Sequence, residues 1–107
     1  MASGVFASYT FTPNGSGRCT VTCTYEVTAT GSDWGANVSN YLRWTQSGST
    51  TNLRATNPPS SRQQIALVDS FDVTGGVACT VDLYCALSGA TACSAWNIGF
   101  HVEVVKR

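Results

Sequence analysis

Charge is scarce in this sequence, since only 11% of the 107 residues are Asp, Glu, Lys or Arg, against about 25% in an average protein. The six basic and six acidic residues balance to a formal net charge of zero. A protein that binds nucleic acid needs basic groups to neutralise phosphates, and one that lies on an anionic membrane needs a cationic face. The composition therefore argues against nucleic acid and membrane surfaces as partners.

Long apolar segments and helical spacing are absent as well. No run approaches the roughly 18 apolar residues of a membrane span, and the first residues lack the basic and apolar regions of a signal peptide. No stretch of a dozen residues spaces its apolar side chains as a helix does. We therefore expect one all-β domain over residues 1–107, with no membrane insertion. Five cysteines favour an extracellular or surface-exposed setting for a mature, secreted domain, with a cytoplasmic or virion location left open.

Histidine is scarce too, because His101 is the only one. It falls on the polar side of an alternating segment, and nothing in the sequence brings it to Ser70 and Asp72 as a catalytic triad requires. Asp69, Asp72 and Asp82 lack the spacing of a calcium loop, and the cysteines lack the CxxC pairs of a typical zinc site. The sequence predicts a protein that is not an enzyme and that uses no metal or cofactor.

Strict alternation of apolar and polar residues is what the sequence has in abundance. Side chains on a strand point alternately to opposite faces, so the stretch 19–29 predicts one long, half-buried strand. The stretch 77–87 alternates in the same way and also carries two cysteines. The two segments are expected to form opposite walls of one core. The residues expected to face this core are Cys19, Val21, Cys23, Tyr25, Val27 and Ala29 on the first strand, and Val77, Cys79, Val81, Leu83, Cys85 and Leu87 on the second.

Shorter alternating segments complete the expected fold. The turn residues at 13–17 predict a hairpin that pairs the first strand with 19–29. Seven strands separated by turns predict an antiparallel two-sheet β-sandwich, similar in chain order and length to immunoglobulin and fibronectin type III domains, in which Trp44 could serve as the core tryptophan. A small jelly roll is the alternative topology. The remaining expected strands are 5–12, 38–45, 51–56, 65–73 (with a kink near Asp69) and 98–104.

Strand geometry limits how the five cysteines can pair as disulfides. Cys19 and Cys23 are separated by about 13 Å along one strand and Cys79 and Cys85 by roughly 20 Å, whereas a disulfide needs Cα atoms within about 7 Å. Any bridge must therefore join the two strands or include Cys93, which we expect in a loop over 88–95. If two bridges form within one chain, at least one of them includes Cys19 or Cys23.

Two tryptophans are expected in loops beside polar side chains. Trp34 is flanked by Asp33 and, three residues later, Asn37, while Trp96 is followed by Asn97. Carbohydrate sites combine such groups, because an aromatic ring stacks on the C–H face of a sugar while polar side chains bond its hydroxyls. We therefore predict a lectin-like domain that binds a neutral polar ligand, foremost a carbohydrate. An equally weighted alternative is that both tryptophans cap the ends of the core.

A self-assembling structural subunit, such as a viral coat, fibre or appendage protein, is the alternative function. The segment 5–12 contains no charged residue, and an unprotected edge strand readily pairs with another chain. Phe6, Ser8 and Thr10 are expected on its outward face, where the hydroxyls would form a ladder with the threonines of 19–29. This interpretation predicts a homo-oligomer that forms through this edge.

Overall fold

The computed structural model describes residues 3–31, 38–57, 61–87 and 91–106, which form seven strands in two sheets. All neighbouring strands are antiparallel, so the predicted all-β fold in two antiparallel sheets is confirmed. No helix in this described part of the chain is long and apolar enough to cross a membrane. The strands are β1 (Gly4–Phe11), β2 (Gly17–Gly31), β3 (Val38–Gln46), β4 (Ser49–Thr56), β5 (Gln63–Val73), β6 (Cys79–Leu87) and β7 (Thr91–Lys106).

One core lies between the two sheets, and β2 contributes most to it. β2 is the middle strand of the sheet β5-β2-β7, and its odd-numbered side chains from Cys19 to Ala29 are buried, as the alternation predicts. The other sheet has the order β1-β6-β3-β4. Four of the six residues expected to face β2 from this wall are buried on β6, whereas Val77, which precedes β6, and Leu87 are only partly buried. The fully buried residues on this second wall are Val38, Asn40, Leu42, Cys79, Val81, Leu83 and Cys85.

The connection between β1 and β2 crosses from one sheet to the other, so the predicted hairpin between these strands is wrong. β1 pairs with β6 instead, at the edge of the four-stranded sheet. Two hydrogen bonds fix the crossing segment 12–16 to the turn before β6. The Gly76 amide donates to the Pro13 carbonyl over 2.8 Å, and the Gly75 amide donates to the Ser16 hydroxyl over 2.9 Å. Turn residues predict that a chain changes direction, but they do not specify which sheet it then joins.

A bulge in β1 explains a second difference from the expected fold. The register against β6 shifts between Val5 and Ala7. The predicted outward position of Phe6 is wrong, because the ring packs against the core. Val5 is 48% exposed, although alternation with Phe6, Ser8 and Thr10 on the outward face would turn it inward. A shift of one residue reverses the faces of a strand, and regular alternation in the sequence cannot reveal it.

The predicted hydroxyl ladder between β1 and β2 is also wrong, since the two strands lie in different sheets. Another ladder crosses the outer face of the four-stranded sheet. Thr10 shares a hydrogen bond with Thr80, and Thr45 shares one with Thr50, each over 2.8 Å. These threonines lie opposite one another across four neighbouring strands.

Two of the strand pairings also occur in the immunoglobulin plan. β2 pairs with β5 and β3 with β6, as the second with the fifth and the third with the sixth strands do in that plan. The other three strands differ. Here β1 and β4 lie in the sheet of β3 and β6, and β7 lies in the sheet of β2 and β5. In the immunoglobulin plan the first and fourth strands lie with the second and fifth, and the seventh lies with the third and sixth. Trp44 packs against the core as expected, and its ring stacks on Phe71 of the other sheet with centroids 4.3 Å apart. The expected kink near Asp69 is absent, because β5 pairs with β2 without a register shift.

Candidate functional site

Trp96 and Asn97 lie at a bulge in β7, opposite the middle of β2. The expected loop over 88–95 is wrong from Thr91 onward, because those residues already belong to β7. The pairing with β2 shifts between Thr24 and Glu26, and Asn97 takes a left-handed backbone conformation with φ of 52°. Asparagine adopts this conformation more easily than most residues, so it suits the bulge. Trp96 is opposite Glu26 and is 38% exposed on the outer face of the sheet.

Three polar side chains lie close to Trp96: Glu26 on β2, Asn97 on β7 and Arg62 just before β5. The Arg62 guanidinium lies over the indole ring, with Cζ 4.4 Å from the ring centroid. Arg62 also pairs with the Glu26 carboxylate at 3.1 Å, and the Asn97 side-chain amide donates to the other oxygen of that carboxylate. We call Glu26, Arg62, Trp96 and Asn97 the Trp96 cluster.

The Trp96 cluster combines an apolar ring with hydrogen-bonding groups and carries no net charge. The ring can cover the C–H face of a ligand, while the carboxylate accepts and the amide and guanidinium donate hydrogen bonds. The Arg62–Glu26 pair leaves both partners partly exposed, with side chains 56% and 31% accessible. A neutral, hydroxyl-rich ligand can therefore reach these polar groups without displacing a buried charge.

The structure describes only part of the predicted ligand site. Trp96 and Asn97 lie in β7 rather than in the expected loop. Asp33, Trp34 and Asn37 fall outside the described residues. Sequence reasoning missed Glu26 and Arg62 as members of the site. The sequence could have indicated Glu26, because it is the only charged residue among the threonines on the outer face of the stretch 19–29. Nothing in the sequence marked Arg62 as a member of the site. Arg62 directly precedes β5, and only the tertiary structure brings it close to Trp96 on β7.

Comparison with known proteins gives no functional lead. No protein-family model, curated protein or solved structure matches this chain. The chemistry of the Trp96 cluster and of the sheet edges therefore carries the functional argument.

The residues considered for a catalytic triad do not converge. Ser70 lies on β5 and His101 on β7, with β2 between them, so about two strand spacings separate them. Asp72 pairs with Arg18 rather than with the histidine. The other acids are also engaged separately: Asp69 accepts a bond from the Ser70 amide, and Asp82 pairs with Arg43. No group of three His, Cys, Asp or Glu suited to a metal ion is found among the described residues.

All five cysteines are buried thiols, and the expected disulfides are not formed. One cysteine pair stands 3.8 Å apart, beyond the roughly 2 Å of a bonded pair. Burial raises the pKa of Cys23 to about 12. Burial and the neighbouring Cys79 together raise the pKa of Cys19 to about 11. A thiol with such a pKa is almost fully protonated at neutral pH, and it acts as a small apolar side chain.

Cys85 and Cys93 differ from the other thiols because they belong to a buried group of hydrogen-bonding side chains. The Tyr25 hydroxyl donates to the Asn40 side-chain oxygen over 3.0 Å, and the Asn40 amide donates to the Cys93 sulfur over 3.9 Å. The two thiols are hydrogen-bonded to each other, which raises the pKa of Cys85 and lowers that of Cys93. We call Tyr25, Asn40, Cys85 and Cys93 the core polar cluster.

The expected self-association edge is an edge of the four-stranded sheet. Among the described strands β1 pairs only with β6, so no described strand pairs with the other side of its backbone. Ser8 lies opposite Asp82 and Thr10 opposite Thr80, with both side chains exposed, whereas Phe6 points inward. A groove of about 280 Å³ runs between β1 and β7 and is lined in part by Tyr9 and Phe11.

Proposed function

We propose that this protein is a non-enzymatic recognition domain that binds a neutral glycan through the Trp96 cluster. The observation that supports this most directly is the arrangement of the indole ring. It is exposed, covered by the Arg62 guanidinium from the residue before β5, and opposite Glu26 on β2. An extracellular or surface-exposed location is part of the same proposal, because glycans are displayed there.

The rigidity of the site favours binding over simple surface packing. Three of the four groups project from hydrogen-bonded strands, and Arg62 directly precedes β5. Little conformational entropy is therefore lost when a ligand arrives, and preorganisation of this kind increases affinity. Because the cluster is neutral, it favours hydroxyl-bearing ligands over anions such as phosphate or sulfate.

Trp96→Ala should reduce glycan affinity by at least about tenfold, since it removes the stacking surface. The free energy of unfolding should fall by no more than about 1 kcal/mol, because the ring is partly exposed and the contact with Arg62 is a surface cation–π interaction. A glycan array identifies the ligand, and calorimetric titration then compares the wild type with the variant.

Val68→Ala is the matched control, because Val68 is an exposed apolar residue on the outer face of the same sheet. It should leave affinity unchanged. Unaltered binding by Trp96→Ala, or an array with no hits for the wild type, would count against the proposed glycan site.

The second candidate function is self-assembly through β1, and a specific observation favours it. β1 is an edge strand without a charged residue or a proline, and its Val5 and Tyr9 are 48% and 49% exposed. Such an edge can pair with β1 of a second copy, extending the four-stranded sheet across a two-fold axis. The uncharged surface of β1 would then be buried within a larger structural assembly.

Ser8→Lys combined with Thr10→Lys should reduce the mass of the assembly while leaving the fold intact, because lysines on an edge strand disfavour pairing. Light scattering coupled to size-exclusion chromatography measures that mass. The control is Thr20→Lys with Thr24→Lys, which adds the same charge to β2 in the middle of the other sheet. A monomeric wild type at high concentration, or equal masses for both double variants, would contradict assembly through β1.

A further inference from the structure

The core polar cluster is unusual because it sets two cysteines from opposite sheets against each other. Cys85 lies on β6, opposite Asn40 on β3, in the four-stranded sheet. Cys93 lies on β7, opposite Ala29 on β2, in the three-stranded sheet. The side chain of Asn40, opposite Cys85, donates to the Cys93 sulfur over 3.9 Å, so the two cysteines face each other across the interior of the sandwich.

We propose that Cys85 and Cys93 form a reversible disulfide that links the two sheets, while Cys19, Cys23 and Cys79 remain thiols. The proposal is independent of the glycan site. Such a bridge is among those that strand geometry left open, because it joins a cysteine of β6 to Cys93.

The chemistry around Cys93 makes it the attacking group. The thiolate is the nucleophile in thiol–disulfide exchange, and hydrogen bonds from Cys85 and Asn40 favour the thiolate of Cys93. Tyr25 in turn orients Asn40 by donating to its side-chain oxygen. Cys19, Cys23 and Cys79 have pKa values raised by burial, so their thiolates are disfavoured.

The reaction balances with a small disulfide such as oxidised glutathione as the oxidant. The Cys93 thiolate attacks one sulfur, the S–S bond breaks, and one glutathione thiolate leaves. Cys85 then loses its proton and attacks the Cys93 sulfur, which expels the second glutathione thiolate. The two protein thiols lose two electrons and two protons, and the glutathione disulfide gains both.

Both sulfurs are buried, so the exchange takes place while the chain folds or when the start of β7 opens locally. The bridge would close a loop of nine residues and restrict the unfolded chain. In the chain-entropy account, a loop of this length lowers the unfolding equilibrium constant roughly 50- to 100-fold.

The test is to refold the wild type in a glutathione redox buffer, alkylate the free thiols and map the peptides without reduction. Chymotrypsin cleaves after Tyr84, Leu87 and Trp96, which separates Cys85 from Cys93. We expect a linked pair of peptides containing these two cysteines. A map that joins either of them to Cys19, Cys23 or Cys79, or one in which all five are alkylated, overturns the proposal.

A stability measurement on the same preparation checks the consequence. The unfolding equilibrium constant measured with urea should be roughly 50- to 100-fold lower for the oxidised than for the reduced wild type. This comparison needs no substitution. Cys93→Ser is the control, and its stability should not depend on the redox buffer. Equal stability of the oxidised and reduced wild type also overturns the proposal.

Discussion

Tyr25→Ala should lower the free energy of unfolding by about 3–5 kcal/mol, a large part of the 5–15 kcal/mol typical of a whole domain. Tyr25 is the largest fully buried side chain in the described core. Its removal leaves a cavity between the sheets and also takes away the hydroxyl that donates to Asn40. Urea unfolding followed by fluorescence measures the loss.

Tyr25→Phe separates the two contributions, because it keeps the ring and removes only the hydroxyl. We expect a loss of about 1–3 kcal/mol, since the side-chain oxygen of fully buried Asn40 then lacks this donor. Val105→Ala is the control at an exposed apolar position, and it should change stability by no more than about 0.5 kcal/mol. A Tyr25→Ala variant as stable as that control would mean that the core is not packed as described.

Arg43→Ala should also destabilise the fold strongly, by about 2–4 kcal/mol. Arg43 makes two hydrogen bonds to the Asp82 carboxylate, at 2.9 and 3.2 Å, and its guanidinium lies 4.0 Å from the centroid of the Tyr84 ring. Only 10% of the Asp82 side chain is exposed, although it lies on the outer face of its sheet. Removal of the arginine leaves that carboxylate nearly buried and unpaired, which is far more costly than the loss of an exposed pair.

The Arg18–Asp72 pair provides the matched comparison in the same protein. Its side chains are 53% and 60% exposed, so Arg18→Ala should cost less than about 1 kcal/mol. Urea midpoints of the two variants at equal ionic strength test the difference. Equal costs for Arg43→Ala and Arg18→Ala would contradict the view that solvent exposure decides the contribution of each pair.

Periodicity predicted the strands well, because burial of one face leaves a period of two in the sequence. The odd positions of β2 and the cysteines of β6 are buried as this period requires. The sheet that β1 joins was not predictable, since it depends on long-range hydrogen bonds such as Gly76 to Pro13. The inward position of Phe6 depends on a bulge, which leaves no trace in the alternation.

The candidate site was predicted in part for similar reasons. Trp96 and Asn97 are adjacent in sequence, so their combination could be recognised without a structure. Arg62 and Glu26 are separated by 36 positions and meet only because β5 pairs with β2. Cys93 was expected in a loop, and its place in a strand against Ala29 became apparent only from the pairing of β7 with β2.

The most direct test of the central claim is a ¹H–¹⁵N spectrum of the three tryptophan indoles during titration with a glycan selected from the array. The Trp96 signal can be assigned from its absence in Trp96→Phe. We predict that glycan shifts this signal in a saturable manner, whereas the signal of Trp44, which packs on the core, stays in place. A Trp96 signal that does not move while the glycan binds would contradict the assignment of the site.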